Sequence, residues 1–373
     1  MLEAANTLKI NFVVPFYSSR PVGGLKVVYE YANHLSSRGH CVTVIHPRFL
    51  PTIQPPQKLH QRARIALGAT YREIAHPRGV SWQTIHEKVR MLYVPSLDTK
   101  YVPEAQAVFA TSWQTAEWVA QYPASKGSKF YIVQDFEPWI APREVLETSW
   151  RLPLKKITIS QWLCDKVLSV EKDPRNVVNI PIGIDLAIFK LSTDIKRRPK
   201  TIAMLYSLAP SKDSDCGVAA IQRCKKFFPE LKAVFFGPNS RFRPKGIPEW
   251  ITYGGVVSER ELVQIYNTSR IYVCSSIAEG FALPPAEAMA CGCAVVSTEC
   301  GGNEEYAIRN VNALLSKPSD SEALADNIRL LLENDDLRVQ IAERGHAMIQ
   351  RFTWERSTDK LQTYLASNTT SVP

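Results

Sequence analysis

The chain has 373 residues, of which 45% are apolar and 22% charged, and its formal net charge is +9. This length is enough for two domains of ordinary size, each with its own core. No apolar run reaches the length of a membrane span, and the first one, at residues 8–16, is too short for a secretion signal.

Charge and cysteine content bear on the partners and the compartment. Up to Lys190 there are 23 Lys and Arg against 15 Asp and Glu, so the basic surplus lies in the first half. An anionic membrane surface, a phosphorylated acceptor, a nucleic acid or an ordinary solvated surface would each account for it. The eight cysteines form no Cys-x-x-Cys pair and the seven histidines are dispersed, so we expect a reducing cytoplasm and no bound metal.

In the first half, apolar runs alternate with segments of helical spacing. The pair Gly23-Gly24 lies between the first strand and the first helix, where it lets the backbone approach a ligand or makes an ordinary tight turn. The spaced Gly-x-Gly-x-x-Gly pattern is absent, so a nicotinamide cofactor is not indicated. The residue pattern predicts strands at 9–16, 41–45, 107–112, 129–137, 156–160 and 177–185, and helices at 25–38, 114–121 and 161–170.

Residues 48–82 interrupt this alternation. They contain three prolines near their start and continue with a basic stretch from Lys58. The stretch predicts either a basic helix that faces a membrane or an acceptor, or an insertion that packs on its own domain.

A polar, basic stretch at 192–200, which ends next to a proline, predicts a boundary between two domains. Repeated strand and helix units on both sides of it predict an α/β fold with two doubly wound parallel sheets. We expect domains at 1–190 and 191–352, with a closing segment at 353–373 that contains a short helix. The second half predicts strands at 201–208, 232–236, 271–276 and 295–298, and helices at 217–228, 259–269, 286–291, 321–333 and 336–352.

One segment, residues 279–287, organises the second half. It follows a strand and leads into a short helix, at the edge where open α/β sheets bind phosphorylated ligands. Its carboxylates, Glu279 and Glu287, can only accept the hydrogen bonds that sugar hydroxyls donate. The pattern therefore predicts a nucleotide sugar as ligand, unless Glu279 only caps the turn and Glu287 is solvated. Free backbone N–H groups would face the phosphates at Gly280, Phe281 and Leu283.

The chain resembles the retaining glycosyltransferases of family four, which have the GT-B architecture of two facing Rossmann-like domains. Their two glutamates, separated by seven residues, are matched by Glu279 and Glu287. The resemblance implies a closing helix that crosses back to the first domain. It also implies a retaining transfer of a hexose or deoxyhexose from a nucleoside-diphosphate sugar, without a metal or other cofactor. Further matches are Gly23-Gly24, Gly39-His40, Pro181, Gly301-Gly302, Asn312 and Phe352.

The resemblance also assigns roles to single residues. Glu279 would orient the donor sugar through its hydroxyls, Glu287 would bond the ribose, and Lys212 would bind the phosphates. Glu279 and Lys212 are thus the expected catalytic residues. The other donor-binding positions carried over from the family are Ser207, Gly237, Val257 and Gly24.

Two departures from the family pattern affect this assignment. Where the family usually has Gly-Arg before the lysine, this chain has Tyr206-Ser207. A bidentate phosphate clamp is thereby lost, so the leaving diphosphate would depend on Lys212, backbone N–H groups and a helix terminus. Many members also carry a histidine near residues 109–113 and another at the position of Gln134, and neither is present.

Residues 131–139 and 157–163 look most like bacterial rhamnosyltransferases of this family that build surface polysaccharide. Three side chains there would lie near the acceptor, or would cap a loop at a strand end. We expect a glycan, lipid-linked or small-molecule acceptor, and an anionic membrane surface on the cytoplasmic face contacted by the basic first half. The three acceptor-side residues are Gln134, Asp135 and Glu137.

Two other classes of function are alternatives to a glycosyltransferase. Another GT-B nucleotide-sugar enzyme, an epimerase or a phosphorylase, would have the same fold, but no pyridoxal-binding lysine is found in context. A non-catalytic binder of nucleotides or nucleic acid would use the basic first half. Nothing in the sequence resembles a recognition helix or a stacking platform, so nucleic acid is not an expected partner.

Overall fold

A computed structural model of the protein describes residues 7–48, 50, 80–136, 138–238 and 243–369. The chain divides into two compact units. The first contains Met1–Ile159, Cys164–Ile180 and Trp354–Pro373, and the second contains Ser160–Leu163 and Pro181–Thr353. The basic stretch from Lys58 and the acceptor-side candidate Glu137 lie outside the described residues.

The first unit is built on a parallel sheet. Its strands in the described residues are β1 (Lys9–Val13), β2 (Cys41–Pro47), β3 (Arg90–Val94), β4 (Ala107–Ala110), β5 (Ser128–Val133), β6 (Lys155–Thr158) and β7 (Val177–Asn179). Their order across the sheet is β3-β2-β1-β4-β5-β6-β7.

The second unit contains its own parallel sheet. Its strands in the described residues are β8 (Thr201–Leu205), β9 (Lys232–Phe236), β10 (Ile251–Tyr253), β11 (Ile271–Cys274), β12 (Ala294–Thr298) and β13 (Leu314–Ser316). Their order is β10-β9-β8-β11-β12-β13.

Helices connect the strands in both units. Over the described ranges they are α1 (Gly23–Ser37), α2 (Trp113–Gln121), α3 (Arg143–Trp150), α4 (Gln161–Leu168), α5 (Ser214–Phe227), α6 (Glu259–Thr268), α7 (Leu283–Ala290), α8 (Ser321–Glu333), α9 (Asp335–Ile349) and α10 (Trp354–Asn368). None of these helices is both long and apolar enough to cross a membrane. Strands β4 and β11 are buried at every position, as is usual for parallel strands covered by helices on both faces.

Each sheet has a switch point, where the strand order reverses. In the first sheet it lies between β1 and β4, and in the second between β8 and β11. The connections after such a pair of strands leave towards opposite faces, which opens a crevice at their carboxyl ends. Ligands of open α/β sheets bind in this crevice, so we expect a ligand site in the loops that follow these four strands.

The last helix packs within the first unit, on α1. Tyr31 Oη and Ser357 Oγ are 2.7 Å apart, and Arg38 donates to Asp359 at 2.7 Å. The closing helix therefore belongs by its contacts to the unit at the other end of the chain.

The expected α/β class with two doubly wound parallel sheets is confirmed. Four short elements were not predicted: β3, β10, β13 and α3. The strand predicted at 177–185 ends at Asn179 instead. Pro181 lies just beyond it and cannot donate to a ladder, and Ile184 makes only an isolated bridge with Thr353.

His46 on β2 is buried in the first unit. Its Nε2 is 2.9 Å from Tyr29 Oη, and its ring stacks on Tyr93 with centroids 5.0 Å apart. Burial lowers the pKa of His46 to about 4. The imidazole is therefore neutral in the folded chain at pH 5, whereas an unfolded histidine, with a pKa of about 6.5, is mostly charged there.

We expect His46 to make folding sensitive to acid. Its folded pKa is lowered, so the stability it contributes is complete above pH ~6.5 and is lost as the pH falls towards ~4. His46→Gln should remove about 3 kcal/mol of the decrease in unfolding free energy between those limits. Denaturant unfolding at a series of pH values measures this, with an NMR titration of the His46 ring as control. The same pH slope in both proteins would contradict the prediction.

Candidate functional site

The switch point of the second sheet carries an ion pair. Lys212 lies in the loop after β8, and Glu279 in the loop after β11. Lys212 Nζ is 2.5 Å from Glu279 Oε1, and Ser276 Oγ donates to the same oxygen at 2.6 Å. Among the described residues the other carboxylate oxygen has no hydrogen-bond partner, so it is available to a donor.

The two loops that hold this pair are bonded to each other. Ser275 Oγ donates to the carbonyl oxygen of Lys212 at 2.9 Å, and the Ile277 N–H donates to Ser211 O at 2.7 Å. The backbone of Lys212 is thereby fixed against the strand end that leads to Glu279.

A third loop, after β12, packs against Glu279. The Glu279 N–H donates to Cys300 O at 2.9 Å, and the Gly302 N–H donates to Glu279 O at 3.0 Å. A β-carbon on Gly302 would lie 2.4 Å from the backbone of Gly280 and Phe281. Glycine at 302 is therefore required by the close approach of two backbones.

Helix α7 begins beside the carboxylate with an open N-terminus. Ala282 precedes it in a left-handed conformation with φ 61°, and no side chain caps the helix. Tyr306 Oη donates to Ala282 O at 2.5 Å and so fixes the turn. The first turn has no acidic residue, and its Pro284 and Pro285 have no N–H, so the helix dipole and the N–H groups of Leu283 and the preceding turn favour an anion.

Of the residues predicted to contact a ligand in this turn, Phe281 can do so only through its backbone. The side chain of Phe281 packs on Tyr306 and Phe352, with ring centroids 5.3 and 6.0 Å away, so it faces the interior. Phe281 can therefore offer a ligand only its main chain. Gly280 is buried, and Leu283 is half-buried at the first position of the helix.

Glu287 lies on α7 and is 6% exposed. It is therefore buried, and the alternative that this carboxylate is solvated is wrong. Tyr266 Oη donates to Glu287 Oε2 at 3.5 Å. Burial raises the pKa of Tyr266 well above its usual value, and the Glu287 carboxylate adds to this effect. Tyr266 therefore stays a neutral donor to the carboxylate.

Gly237 lies where the carboxyl ends of β8, β9 and β10 meet. Its N–H donates to Gly255 O at 2.9 Å, and a β-carbon on it would lie 1.9 Å from Tyr206 O. Val257, the other residue predicted for the base pocket, is half-buried. Ser207 is occupied by the turn itself, because its N–H donates to Ser214 Oγ at 2.9 Å and its Oγ accepts from Ala209 N–H at 3.2 Å.

In the first unit, the structure brings two of the predicted residues together. Gly24 is exposed at the start of α1, and a β-carbon on it would lie 3.5 Å from Gln134 Oε1. Gln134 Nε2 donates to Thr111 O at 3.1 Å. Asp135 caps its own loop, since its Oδ1 accepts from Phe136 N–H at 2.8 Å.

Sequence reasoning missed two kinds of residue at this site. Ser276 follows a buried strand and precedes Glu279 by three residues, a spacing that could have pointed to a shared turn. Asp213 and Asp215, separated by Ser214, form an Asp-x-Asp pair that the sequence analysis overlooked. Asp213 accepts from Ser319 Oγ at 2.8 Å. Within the described part of the chain, no group of three or more His, Cys, Asp or Glu side chains is placed to hold a metal.

Solved structures share this architecture across most of the chain. Anabaena Alr3699/HepE, in complex with UDP-glucose, covers 96% of this chain and 100% of its own at 18% identity, with a TM-score of 0.74. Sucrose-phosphate synthase from Thermosynechococcus elongatus covers 96% and 98% at 16% identity, with a TM-score of 0.71. At this identity the likeness establishes the fold, which is that of the GT-B class expected from the sequence.

The sequence comparisons match different shares of the chain. Residues 188–348 match the sequence model of the family described as glycosyl transferases group 1. The O-antigen chain mannosyltransferase B of Escherichia coli is 35% identical over 109 residues, 29% of this chain. The O-antigen biosynthesis protein RfbC of Myxococcus xanthus is 24% identical over 288 residues, 73% of this chain. These matches span only 28% and 22% of the relatives' own lengths.

We expect Gly302→Ala to destabilise the protein by about 3 kcal/mol, because the added methyl group must displace the backbone of Gly280 and Phe281. Gly23→Ala is the matched control, since nothing lies within 4 Å of its added β-carbon. Urea unfolding of the two variants and the parent chain measures the difference. Equal unfolding free energies for the two variants would show that the loop is not packed as described.

Proposed function

We propose that the chain is a retaining, metal-independent glycosyltransferase. It moves a hexose or deoxyhexose from a nucleoside-diphosphate sugar to a glycan, lipid-linked or small-molecule acceptor. One observation carries the proposal: the ion pair of Lys212 and Glu279 lies beside the open N-terminus of α7. The match of residues 188–348 to glycosyl transferases group 1 supports it.

The three groups at the site suit the three parts of a nucleotide sugar. The ammonium group of Lys212, the dipole of α7 and the N–H groups of Leu283 and the preceding turn attract the diphosphate. The free oxygen of Glu279 accepts from a sugar hydroxyl, because a carboxylate has no proton to donate. Glu287, deeper on the same helix, is assigned to the ribose, and Gly237 and Val257 to the base. The UDP-glucose bound by Anabaena HepE is a ligand of this chemical class.

The groups at the site determine how the leaving group is stabilised. Negative charge develops on the departing phosphate oxygen, and Lys212 with the aligned N–H dipoles stabilises it without reorganisation. In a retaining reaction on one face of the sugar, that oxygen also takes the proton of the acceptor. Glu279 then orients the sugar and forms no covalent bond.

The proposals for the acceptor and for the biological setting are based on the relatives and on the first unit. Two relatives are named for O-antigen synthesis, which supports a place in surface polysaccharide synthesis. A rhamnosyltransferase is the proposed subtype. Acceptor binding is assigned to the first unit, to Gln134 and Asp135 with Glu137, and its basic charge suits an anionic membrane surface on the cytoplasmic face.

The test is a panel of nucleoside-diphosphate sugars. Slow hydrolysis of the donor needs no acceptor, so it can be measured before the acceptor is known. We expect one or a few donors to raise the melting temperature and to be hydrolysed with release of the nucleoside diphosphate, in the presence of EDTA. A chain that binds and cleaves none of them would not be this enzyme. Interconversion of two nucleotide sugars would indicate an epimerase.

We expect Glu279→Ala to lower kcat for donor hydrolysis by orders of magnitude and to leave the Kd of the nucleoside diphosphate nearly unchanged. The reason is that Glu279 is assigned to the sugar and Lys212 to the phosphates. Glu343→Ala, an exposed carboxylate on α9, is the matched control and should behave as the parent chain. Kinetics and calorimetric titration with the diphosphate separate the two effects. Equal losses of both would contradict an orienting role.

A further inference from the structure

Ala282 has a backbone conformation that alanine rarely adopts. Its φ is 61° and its ψ is 68°, in the left-handed region. The other described residues with a positive φ, apart from glycines, are Asp213, Asn310 and Ser319, whose polar side chains can bond to the nearby backbone. Alanine has no such group, so it keeps this conformation only where its surroundings hold it.

The hydroxyl of Tyr306 holds the carbonyl group of Ala282. Tyr306 Oη donates to Ala282 O at 2.5 Å, and the tyrosine is 1% exposed. Burial raises the pKa of Tyr306 well above its usual value, so the hydroxyl keeps its proton and remains a donor. The contact joins the loop after β12 to the turn that leads into α7.

Tyr306 is itself fixed from several sides. Its ring packs on Phe281 and Phe352, with centroids 5.3 and 6.1 Å away. Its N–H donates to Asn303 O at 3.1 Å, and its carbonyl oxygen accepts from Asn312 Nδ2 at 2.9 Å. The hydroxyl therefore has a defined position from which to hold the turn.

Holding this carbonyl also directs the next N–H. The C=O of Ala282 and the N–H of Leu283 belong to one planar peptide group, and in a trans peptide they point in opposite directions. Because the carbonyl points at the buried Tyr306, the N–H of Leu283 points away from it. This N–H is the last one before Pro284 and Pro285, which have none.

The turn has several donors that are not used inside the protein. Within the described part of the chain, the N–H groups of residues 280–283 donate to no acceptor. The φ and ψ of Ala282 determine how the donors before it are directed relative to the donor after it. Successive N–H groups of a turn can bind an anion together only when they face the same ligand.

We propose that Tyr306 is a positioning residue for the diphosphate of the donor. Its hydroxyl keeps Ala282 in the left-handed conformation and thereby directs the N–H groups that receive the phosphates. Tyr306 acts through this turn and does not touch the ligand. The assignment rests on the proposed function, in which the ion pair of Lys212 and Glu279 marks the place of the donor.

Tyr306→Phe removes the hydroxyl and keeps the ring that packs on its neighbours. Without the hydrogen bond, a smaller fraction of the protein has the binding conformation, and Kd rises by the same factor. We expect the Kd of a nucleoside diphosphate to rise about tenfold, the usual effect of one neutral hydrogen bond. The KM of the donor should rise with it, and kcat should stay nearly constant because bound ligand restores the conformation.

Calorimetric titration with UDP, ADP and GDP measures this effect, and the diphosphate that the parent chain binds most tightly is used for the variants. Tyr122→Phe is the matched control. Its buried hydroxyl also donates to a backbone carbonyl, Leu97 O at 2.8 Å, but lies in the first unit. The control should bind the diphosphate as the parent chain does.

A second substitution distinguishes positioning from a general loss of packing. Glycine adopts positive φ about as readily as negative φ, so it needs no hydroxyl to hold it. We expect Ala282→Gly, added to Tyr306→Phe, to bring Kd back to within about threefold of the parent value. A packing defect would not be repaired by a glycine, which adds backbone freedom.

A third measurement needs no ligand. The methyl group of Ala282 gives a signal in an NMR spectrum of alanine-labelled protein, assigned by its disappearance in Ala282→Gly. Because a carbon shift depends on φ and ψ, we expect this signal to move in the empty Tyr306→Phe protein. The methyl signal of Ala290, at the other end of α7, should not move.

The outcomes separate this inference from the proposed function. An unchanged Kd in Tyr306→Phe, or a loss that Ala282→Gly does not repair, overturns the positioning role and leaves the transferase intact. If the parent chain binds no nucleoside diphosphate, the proposed function fails and the Ala282 signal decides alone. A moved signal then supports the holding role of Tyr306, and a fixed signal overturns it.

Discussion

The ion pair between Lys212 and Glu279 is the contact on which the candidate site depends. It joins the loops after β8 and β11, at the one place where the second sheet reverses its order. Both side chains are partly exposed, and pairs of this kind contribute little to folding stability. Its effect is on geometry, because together with Ser276 it gives the carboxylate a single orientation.

Backbone packing supports this geometry. Gly302 lies against the main chain of the loop that carries Glu279, and Gly237 lies against the main chain of Tyr206. Neither position leaves room for a β-carbon, so the loops around the site touch through their backbones. Loops in contact at this distance have little freedom to shift, and the hydrogen bonds from Ser275 and Ile277 restrict them further.

Much of the fold could be predicted from the sequence, because buried parallel strands and amphipathic helices have distinct periods. Glu279 and Glu287 could be placed from their spacing and the proline-rich helix start. The pairing of Lys212 with Glu279 could not, since 67 residues separate them and only the strand order brings their loops together. The edge strand β3 was missed because it is short and mostly half-buried, and so lacks a clear apolar pattern.

Glu279 Oε1 is shared between Lys212 and Ser276, and this also affects which small ions bind to the empty protein. With its charge matched at 2.5 Å, the lysine is a weak site for inorganic phosphate, which would bring a second negative charge towards the carboxylate and, unlike a nucleoside diphosphate, has no nucleoside to hold it elsewhere in the site. A ligand that offers hydroxyl protons to the carboxylate as it offers oxygens to the lysine meets no such penalty. The ion pair of Lys212 and Glu279 therefore disfavours the binding of abundant free anions to the empty protein.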